Sequence, residues 1–453
     1  CASEFFRLYG KEDPATGRHT LTIGSLDIGA GTSDLMISRY DCEAGDVTTL
    51  SPEPQFYDSF YFAGDDMLHG LIKNYMLLSE TGAFREALGS LDSRAYRQLM
   101  KDFFGPDYSG QTVGDRRLRR DFNMQYSVPL MYRMLELLNT GSDDCAVTYD
   151  EVFAANPPAQ TVIDGFKART GIDVTALRWR FDRALMSKMV RGEFEPLLKK
   201  VSTIMYAHAC DLVLLSGRPA SLPVIRDIFL DYYTIEPNRL IVLNNCYVGD
   251  WYPFSNNTGY ITNPKTIVAM GAVIAHYASE LSNLNRFVIN IDGLKHNLHS
   301  TADYIEASRE GQPVEYFITP QSPSGQLTVS RVPTSLRIRQ LGMDSYPSRV
   351  LYTVDFNRFK IADRVRRVAF QQHGETLNDA QVMARVQDEV DRLKCRMPFS
   401  LEIERNADDP ETLDIVAITD RNGNPVSDSN LEIHVQSLGA DEDYWLDTGS
   451  FEF

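Results

Sequence analysis

The sequence predicts an α/β protein that turns β-rich toward its C-terminus, and three observations carry that prediction. Leu21–Tyr40 reads as two apolar β-runs joined by the small residues Gly29, Ala30, Gly31 and Thr32. Asp211–Leu215 is a continuous apolar run of the kind found in buried parallel strands; it ends in Ser216-Gly217-Arg218-Pro219 and leads into the helical pattern LPVIRDIFLDYY. After residue 285, short alternating segments separated by turn signals replace this strand–helix rhythm.

The opening hairpin holds the first chemistry. Glycine accepts the positive φ angles of tight turns, and the N–H groups of a small-residue turn can converge on an anion. The flanking carboxylates Asp27 and Asp34 suit a bare phosphate poorly, but they suit a divalent cation placed between them and a phosphate. An ordinary hairpin with two polar rim residues is the alternative at this point. A further strand is expected around Val47–Leu50, and Gln55–Phe62 also has strand character. Ala63-Gly64-Asp65-Asp66 then precede MLHGLIKNYMLL, which is apolar at helical spacing. Its acids read either as a helix cap or as a phosphate- or metal-facing helix start.

Residues 80–172 are charge-rich and mostly helical, with breaks at Gly105-Pro106, Gly141 and Pro157-Pro158. The cluster Arg116, Arg117, Arg119 and Arg120 reads as a solvated helix face or a phosphate contact. Gln125–Leu138 continues as an amphipathic helix. A short strand over Val174–Phe181 precedes a helical stretch, Asp182–Ala209, interrupted at Gly192–Pro196. Another strand (Arg239–Leu243) and an irregular segment lead to Asn263-Pro264 and a small-residue helix, Lys265–Ser279, whose Ile267–Ala275 is expected to be buried. Farther on, strands are expected at Phe287–Asp292, Val314–Thr319, Gln326–Val332 and Val350–Phe356, followed by one amphipathic helix, Thr376–Lys394. Leu401–Glu404, Leu413–Thr419, an Asn422-Gly423 turn and Leu431–Val435 complete the pattern.

Composition bounds the function. A chain of 453 residues, 43% hydrophobic and 24% charged, is that of a soluble globular protein with room for two to four domains. A formal net charge of −17 argues against nucleic acid or an anionic membrane as the main partner. The six cysteines are scattered without a CxxC, which points to neither a zinc site nor a disulfide framework and fits a reducing compartment. No stretch reaches the roughly 18–20 apolar residues needed to cross a bilayer, and a cytoplasmic location is expected. The first residue is Cys1 rather than Met, so a piece of a longer chain is expected. Residues 401–453 hold 14 acids against two arginines, and residues 331–367 nine bases against three acids. These faces either neutralise each other within one domain or leave an acidic partner-binding surface.

Three separated signals stand in one order: the Asp27–Asp34 hairpin, the Gly64-Asp65-Asp66 turn into a helix, and the buried strand into Gly217 with its closing Asn263-Pro264 helix. That order resembles the second nucleotide lobe of the actin/Hsp70/sugar-kinase ATPase superfamily. DIGAGTSDLMI is similar to its second phosphate loop, and FAGDDMLHGLI to the turn and helix that follow. DLVLLSGRPASLPVIRDIF is similar to its adenosine motif, and NPKTIVAMGAVIAH to its closing helix. Within the superfamily, the long insertions, the DIGAGTSDLMI wording and YWLDTG near the C-terminus look most like the SrfB-type bacterial virulence-factor family.

The resemblance implies a ribonuclease-H-like ATPase lobe over 1–79 and 173–284, a mostly helical insertion over 80–172, and a β-rich α+β domain over 285–453. It implies ATP and Mg²⁺ as cofactors. Gly29, Ala30 and Gly31 would offer N–H groups to the phosphates, with Thr32 adding a hydroxyl. Asp27 and Asp34 would hold Mg²⁺ through its water shell. Gly64 and Asp65 would approach the ribose or phosphate side, and Ser216, Gly217 and Arg218 would border the adenosine. The helix Gln125–Leu138 falls where adenine is contacted in Hsp70 members, but Arg133 and Glu136 do not match, so the adenine contacts stay open. Ala30 departs from the usual middle Gly, and Ser216 from the first Gly of the adenosine pair. The expected function is an ATP-dependent conformational switch acting on a protein partner in bacterial virulence. The alternative is a degenerate, non-hydrolysing fold serving as an interaction module. The superfamily's first lobe carries a second phosphate loop that has no counterpart here. The N-terminal lobe of a longer parent is therefore an expected partner, and this chain alone is expected to be catalytically inactive.

Overall fold

The computed structural model describes residues 2–43, 47–108, 110–261, 263, 265–279, 287–292, 301–307, 315–435 and 444–453. The chain folds as two compact units, one of Cys1–Leu298 with Ala440–Phe453, the other of His299–Gly439.

The first unit is built on a mixed sheet. Helix α1 (Ala2–Tyr9) leads into β1 (Lys11–Glu12), β2 (His19–Ile28), β3 (Ser33–Glu43) and β4 (Thr48–Phe60). β2–β3–β4 form an antiparallel meander. Two later strands, β7 (Leu212–Ser216) and β8 (Leu240–Val242), add in parallel beside β2, and β9 (Phe287–Ile289) adds in parallel beside β4. The resulting order is β8-β7-β2-β3-β4-β9, with β1 paired to β2.

Alternation along β2 assigns its faces. Leu21 packs with Phe6 of α1, Cys42 and Leu212. The opposite face takes the helix α9 (Arg183–Ala207), which packs closely on Gly24: a Cβ there would stand 3.0 Å from the end of the Met205 side chain and 3.1 Å from the Cys210 sulfur. A β-bulge opposite Ile37/Ser38 joins the two segments expected as separate strands into one β4. Proline is tolerated at bulges and edges, and β9 pairs only with Thr48–Leu50, so Pro52 and Pro54 lie beyond it.

Between β4 and β7 the chain is mostly helical: α2 (Gly64–Leu71), α3 (Ala83–Ala87), α4 (Ser93–Phe104), α5 (Val113–Phe122), α6 (Val128–Asn139), α7 (Tyr149–Phe153) and α8 (Gln160–Thr170). A small two-stranded antiparallel sheet, β5 (Cys145–Thr148) with β6 (Arg178–Phe181), belongs to this part, with α7 and α8 between its strands. A π-helical turn, Asn123–Ser127, fuses α5 and α6 into one rod, and another, Ile72–Leu77, extends α2. The core here is aromatic: Phe122 stacks on Phe166 at 3.9 Å, flanked by Phe103 and Phe104, and the buried Trp179 donates its indole N–H to the Tyr126 hydroxyl at 2.9 Å.

Two sequence expectations fail in this unit. The Gly192–Pro196 interruption does not break α9. The Asp182 carboxylate caps its start by accepting from the Leu185 N–H, and its buried stripe (Met186, Val190, Phe194, Leu197, Val201) outweighs a local proline penalty of about 3 kcal/mol. The helix at Lys265–Ser279 (α11) follows α10 (Pro223–Tyr232) and forms as expected, but Ile267–Ala275 is not buried. Among its described residues only Ala278 is buried, and Val268 is 69% exposed. Hydropathy measures the preference for burial, not whether the fold supplies a cover. Pro264 lies outside the described residues.

The second unit pairs β10 (Tyr304–Glu306), β11 (Tyr316–Ile318), β13 (Thr334–Arg339), β14 (Arg349–Phe356) and β18 (Leu431–Val435) in one antiparallel sheet. A second antiparallel sheet holds β12 (Ser324–Val329), β15 (Phe399–Arg405), β16 (Leu413–Thr419) and β17 (Pro425–Val426). Two helices, not one, lie between β14 and β15: α12 (Arg358–His373) and α13 (Asp379–Lys394). Ile361, Val382, Val386, Val390 and Leu393 anchor them in a core shared with both sheets. Ile361, Val365 and Ala369 already have helical spacing in α12, although its many arginines mask the signal. The expected β-rich domain 285–453 is trimmed at both ends. β9 completes the first sheet, and the last residues return to the first unit.

Candidate functional site

The hairpin register puts Asp27 directly opposite Asp34. Directly opposed cross-strand residues have Cβ atoms about 4.5–5.5 Å apart on one face, where like charges repel. The same row extends outward, since Asp27 pairs with Ser216 on β7 and Asp34 with Ser59 on β4. Both serines use that position. Ser216 Oγ donates to Asp27 Oδ1 at 2.8 Å, and Ser59 Oγ donates to Asp34 Oδ1. Thr32 Oγ1 adds a 3.2 Å bond to Asp34 Oδ2. Each outer hydroxyl orients one carboxylate, and the two acids are left facing each other at the end of their strands.

Three loops meet beside this row. The hairpin turn is closed by the Gly29 N–H donating to Thr32 O at 2.9 Å. None of Gly29, Ala30 and Gly31 has a positive φ, contrary to the sequence reading. Gly29 is needed for closeness instead, because its Cβ would stand 2.9 Å from Thr32 O. Ala30 is therefore unstrained. The N–H groups of Ala30 and Gly31 have no acceptor among the described residues.

The start of α2 docks on this turn, with Gly64 N–H donating to Gly29 O at 3.0 Å and Asp65 N–H to Ala30 O at 2.8 Å. The two acids of α2 differ in their surroundings. The Asp66 carboxylate accepts from the Ala63 N–H at 2.8 Å, as a capping acid, and burial raises its pKa. Asp65, 8% exposed, faces the cleft described next. The third loop follows β7. Gly217 has φ +86°, and a Cβ there would lie 1.9 Å from Ile28 O, so only glycine fits. Asn244 fixes the turn by donating to Gly217 O at 2.8 Å.

Together the loops border a cleft of about 520 Å³. Its floor holds Asp27, Gly29, Ala30, Gly64, Asp65 and Gly217. Met67 and Leu68 of α2 form one wall, and Tyr132, Leu135, Glu136 and Asn139 of α6 another. Leu222, which precedes Pro223 at the first turn of α10, and Lys265 and Val268 of α11 complete the lining. Apolar walls with few convergent polar groups are the usual make-up of a small-molecule site. Arg218 and Lys265 are exposed cations at its rim.

Seven of the eleven residues singled out in the sequence line this one cleft. Ser216, Thr32 and Asp34 belong to the carboxylate row, and Gly31 sits at the exposed hairpin tip. The sequence reading did not include Ser59 or Lys265, and for the helix that becomes α6 it left the contacts open. Tyr132, Leu135, Glu136 and Asn139 stand at i, i+3, i+4 and i+7, a one-face stripe that was legible. Arg133 is turned to an ion pair with Glu136 at 2.7 Å. The Arg116–Arg120 cluster does not reach the cleft. Arg116, Arg117 and Arg120 pair with Asp107 or Asp121, and Arg119 is buried.

Among the described residues no cluster of three or more His, Cys, Asp or Glu side chains forms a metal cage. Two opposed carboxylates nevertheless suit Mg²⁺, which keeps several waters and takes one or two protein carboxylates beside phosphates. No helix among the described residues is long and apolar enough to cross a membrane.

A family model described as Virulence factor SrfB matches residues 1–452. No curated protein matches the chain.

Proposed function

The chain belongs to the SrfB virulence factor family, and on that premise we propose that its first unit is a nucleotide-binding lobe of the ribonuclease-H-like, actin/Hsp70 kind. In this reading it acts as an Mg-ATP-dependent conformational switch on a protein partner. The observation that carries the reading is the row Ser216–Asp27–Asp34–Ser59, whose Asp27 lines the cleft. Two acids placed in register, held by hydroxyls but without a cation, repel, and a cation between them and a phosphate would relieve that repulsion. Asp27 and Asp34 would hold the hydrated Mg²⁺, which would supply charge neutralisation for the phosphates. The Ala30 and Gly31 N–H groups, with Arg218 and Lys265, would receive phosphate oxygens. Met67, Leu68, Leu135 and Leu222 would cover the base and sugar, with Glu136 and Asn139 available to the base edge.

Calorimetric titration of the natural full-length protein with Mg-ATP, beside Asp27→Asn and Asp34→Asn, tests this. Micromolar binding that each substitution weakens at least tenfold is expected; no binding, or equal binding by the variants, overturns it. A non-hydrolysing interaction module is the second reading. It is favoured by Gly29, whose N–H is closed within its own turn. Full biological function in an Asp27/Asp34 double variant would select it.

A further inference from the structure

The last ten residues, Tyr444–Phe453, return to the first unit and contact both α2 and the α5–α6 rod. Tyr444 Oη donates to the Asp65 carboxylate, and Trp445 Nε1 donates to Asp65 O at 3.1 Å. One turn along α2, the His69 ring stacks on Phe451 at 4.6 Å and lies 5.2 Å from Trp445. The same segment is held by the α5–α6 rod. Arg119 Nε donates to Thr448 O at 2.8 Å, and Asn123 Nδ2, on the π turn, donates to Gly449 O at 2.7 Å. Phe451 is buried, with its N–H on Phe104 O at 2.7 Å. Gly449 is required, since φ is +65° and a Cβ would meet Asn123 and Arg120 within 3 Å.

One short segment therefore ties α2, which brings Asp65, Met67 and Leu68 to the cleft, to the rod that brings Tyr132, Leu135, Glu136 and Asn139. We infer that Tyr444–Phe453 is a clasp that sets the spacing of the cleft's two walls, with Tyr444 as the positioning residue for Asp65, so that ligand binding and tail docking strengthen each other. The inference rests on the cleft being a nucleotide site. The Tyr444 hydroxyl satisfies a carboxylate that would otherwise face the ligand's phosphates unpaired. A ligand that needs both walls in place would in turn hold the tail down. Binding and docking are then reciprocal by linkage.

The test uses the full chain as wild type, Tyr444→Phe, Asp65→Asn, the double variant, and a chain ending at residue 443. Mg-ATP is expected to slow hydrogen exchange in 444–453 of the wild type. Tyr444→Phe should bind Mg-ATP about tenfold more weakly, and adding it to Asp65→Asn should cost nothing more. A merely structural tail would lower the melting midpoint while leaving the ligand-induced shift unchanged. Equal or tighter binding by Tyr444→Phe, or tail exchange indifferent to Mg-ATP, overturns the clasp. Should the wild type bind no nucleotide, the site assignment fails separately. The clasp is then decided by the Gly64–Leu71 amides of the truncated chain, where faster exchange supports it and unchanged exchange overturns it.

Discussion

Asp27 and Asp34 face each other across β2 and β3 as direct register partners, each braced by a serine on the next strand outward. Like charges placed directly opposite on one sheet face repel, and on the proposed reading a cation between the acids would relieve that repulsion. Asp27→Asn should therefore raise the melting midpoint of the ligand-free protein while lowering its response to Mg²⁺ and nucleotide. Differential scanning calorimetry with and without Mg-ATP reads both. A variant less stable than wild type in the absence of ligand would contradict the like-charge account.

The two serines act on orientation, not on charge. Ser59→Ala and Ser216→Ala remove a bond to a charged acceptor, worth about 1.5–3 kcal/mol in favourable cases. Each should weaken Mg²⁺-dependent binding less than the loss of the carboxylate it braces. An equal loss in the serine and aspartate variants would mean that the row fails as a unit for structural reasons.

Gly217 is the most constrained residue of the cleft floor. Alanine there needs a positive φ and a Cβ within 1.9 Å of Ile28 O, so the turn must move. Gly217→Ala should cost about 2 kcal/mol or more in urea unfolding, from backbone strain of about 1–3 kcal/mol together with the clash. Gly31→Ala, with nothing within 4 Å of its Cβ, is the matched control and should be close to neutral.

Asp66 on α2 and Glu193 on α9 feel each other's charge. Burial raises the pKa of Glu193, and Asp66 adds to the rise; burial likewise raises that of Asp66. A carboxyl raised in the folded state binds its proton more tightly there than in the unfolded chain. Its contribution is therefore fully present below the unfolded value of 4.5 and is lost as pH rises through the folded value. Glu193→Gln should melt higher than wild type at pH 7, and the gap should close as pH falls toward 4.5. A gap that is constant with pH would assign the effect to packing.

The aromatic core of the helical part carries that region. Phe166, fully buried, stacks on Phe122 and meets Phe84, Phe103 and Phe104. Phe166→Ala should cost about 3–5 kcal/mol, measured by guanidinium unfolding. A loss below ~1 kcal/mol would mean that the site collapses around the smaller residue.

Much of this was readable along the chain, because the relevant rules are local. The opening hairpin, the buried β7, the glycine after it and the helix at Lys265 each announce themselves within a short stretch of chain. So do the carboxylates, whose separation across a tight turn makes them neighbours by register alone. The misreadings had local causes too. Pro52, Pro54 and Pro196 signal breaks that a bulge, a free edge and a buried helical stripe override. The apolar stretch Ile267–Ala275 signals a burial that the described fold does not provide.

By itself, then, the sequence determined which segments form strands and helices around the cleft and which short turns carry its polar groups. Hydrophobic period, turn residues and register act over a few positions. The tertiary structure alone decided that Ser216 and Ser59 brace the two acids and that Tyr444 reaches Asp65 across 379 residues of chain. Those contacts exist because distant segments share one buried surface, and no local pattern encodes which distant surface a side chain will meet.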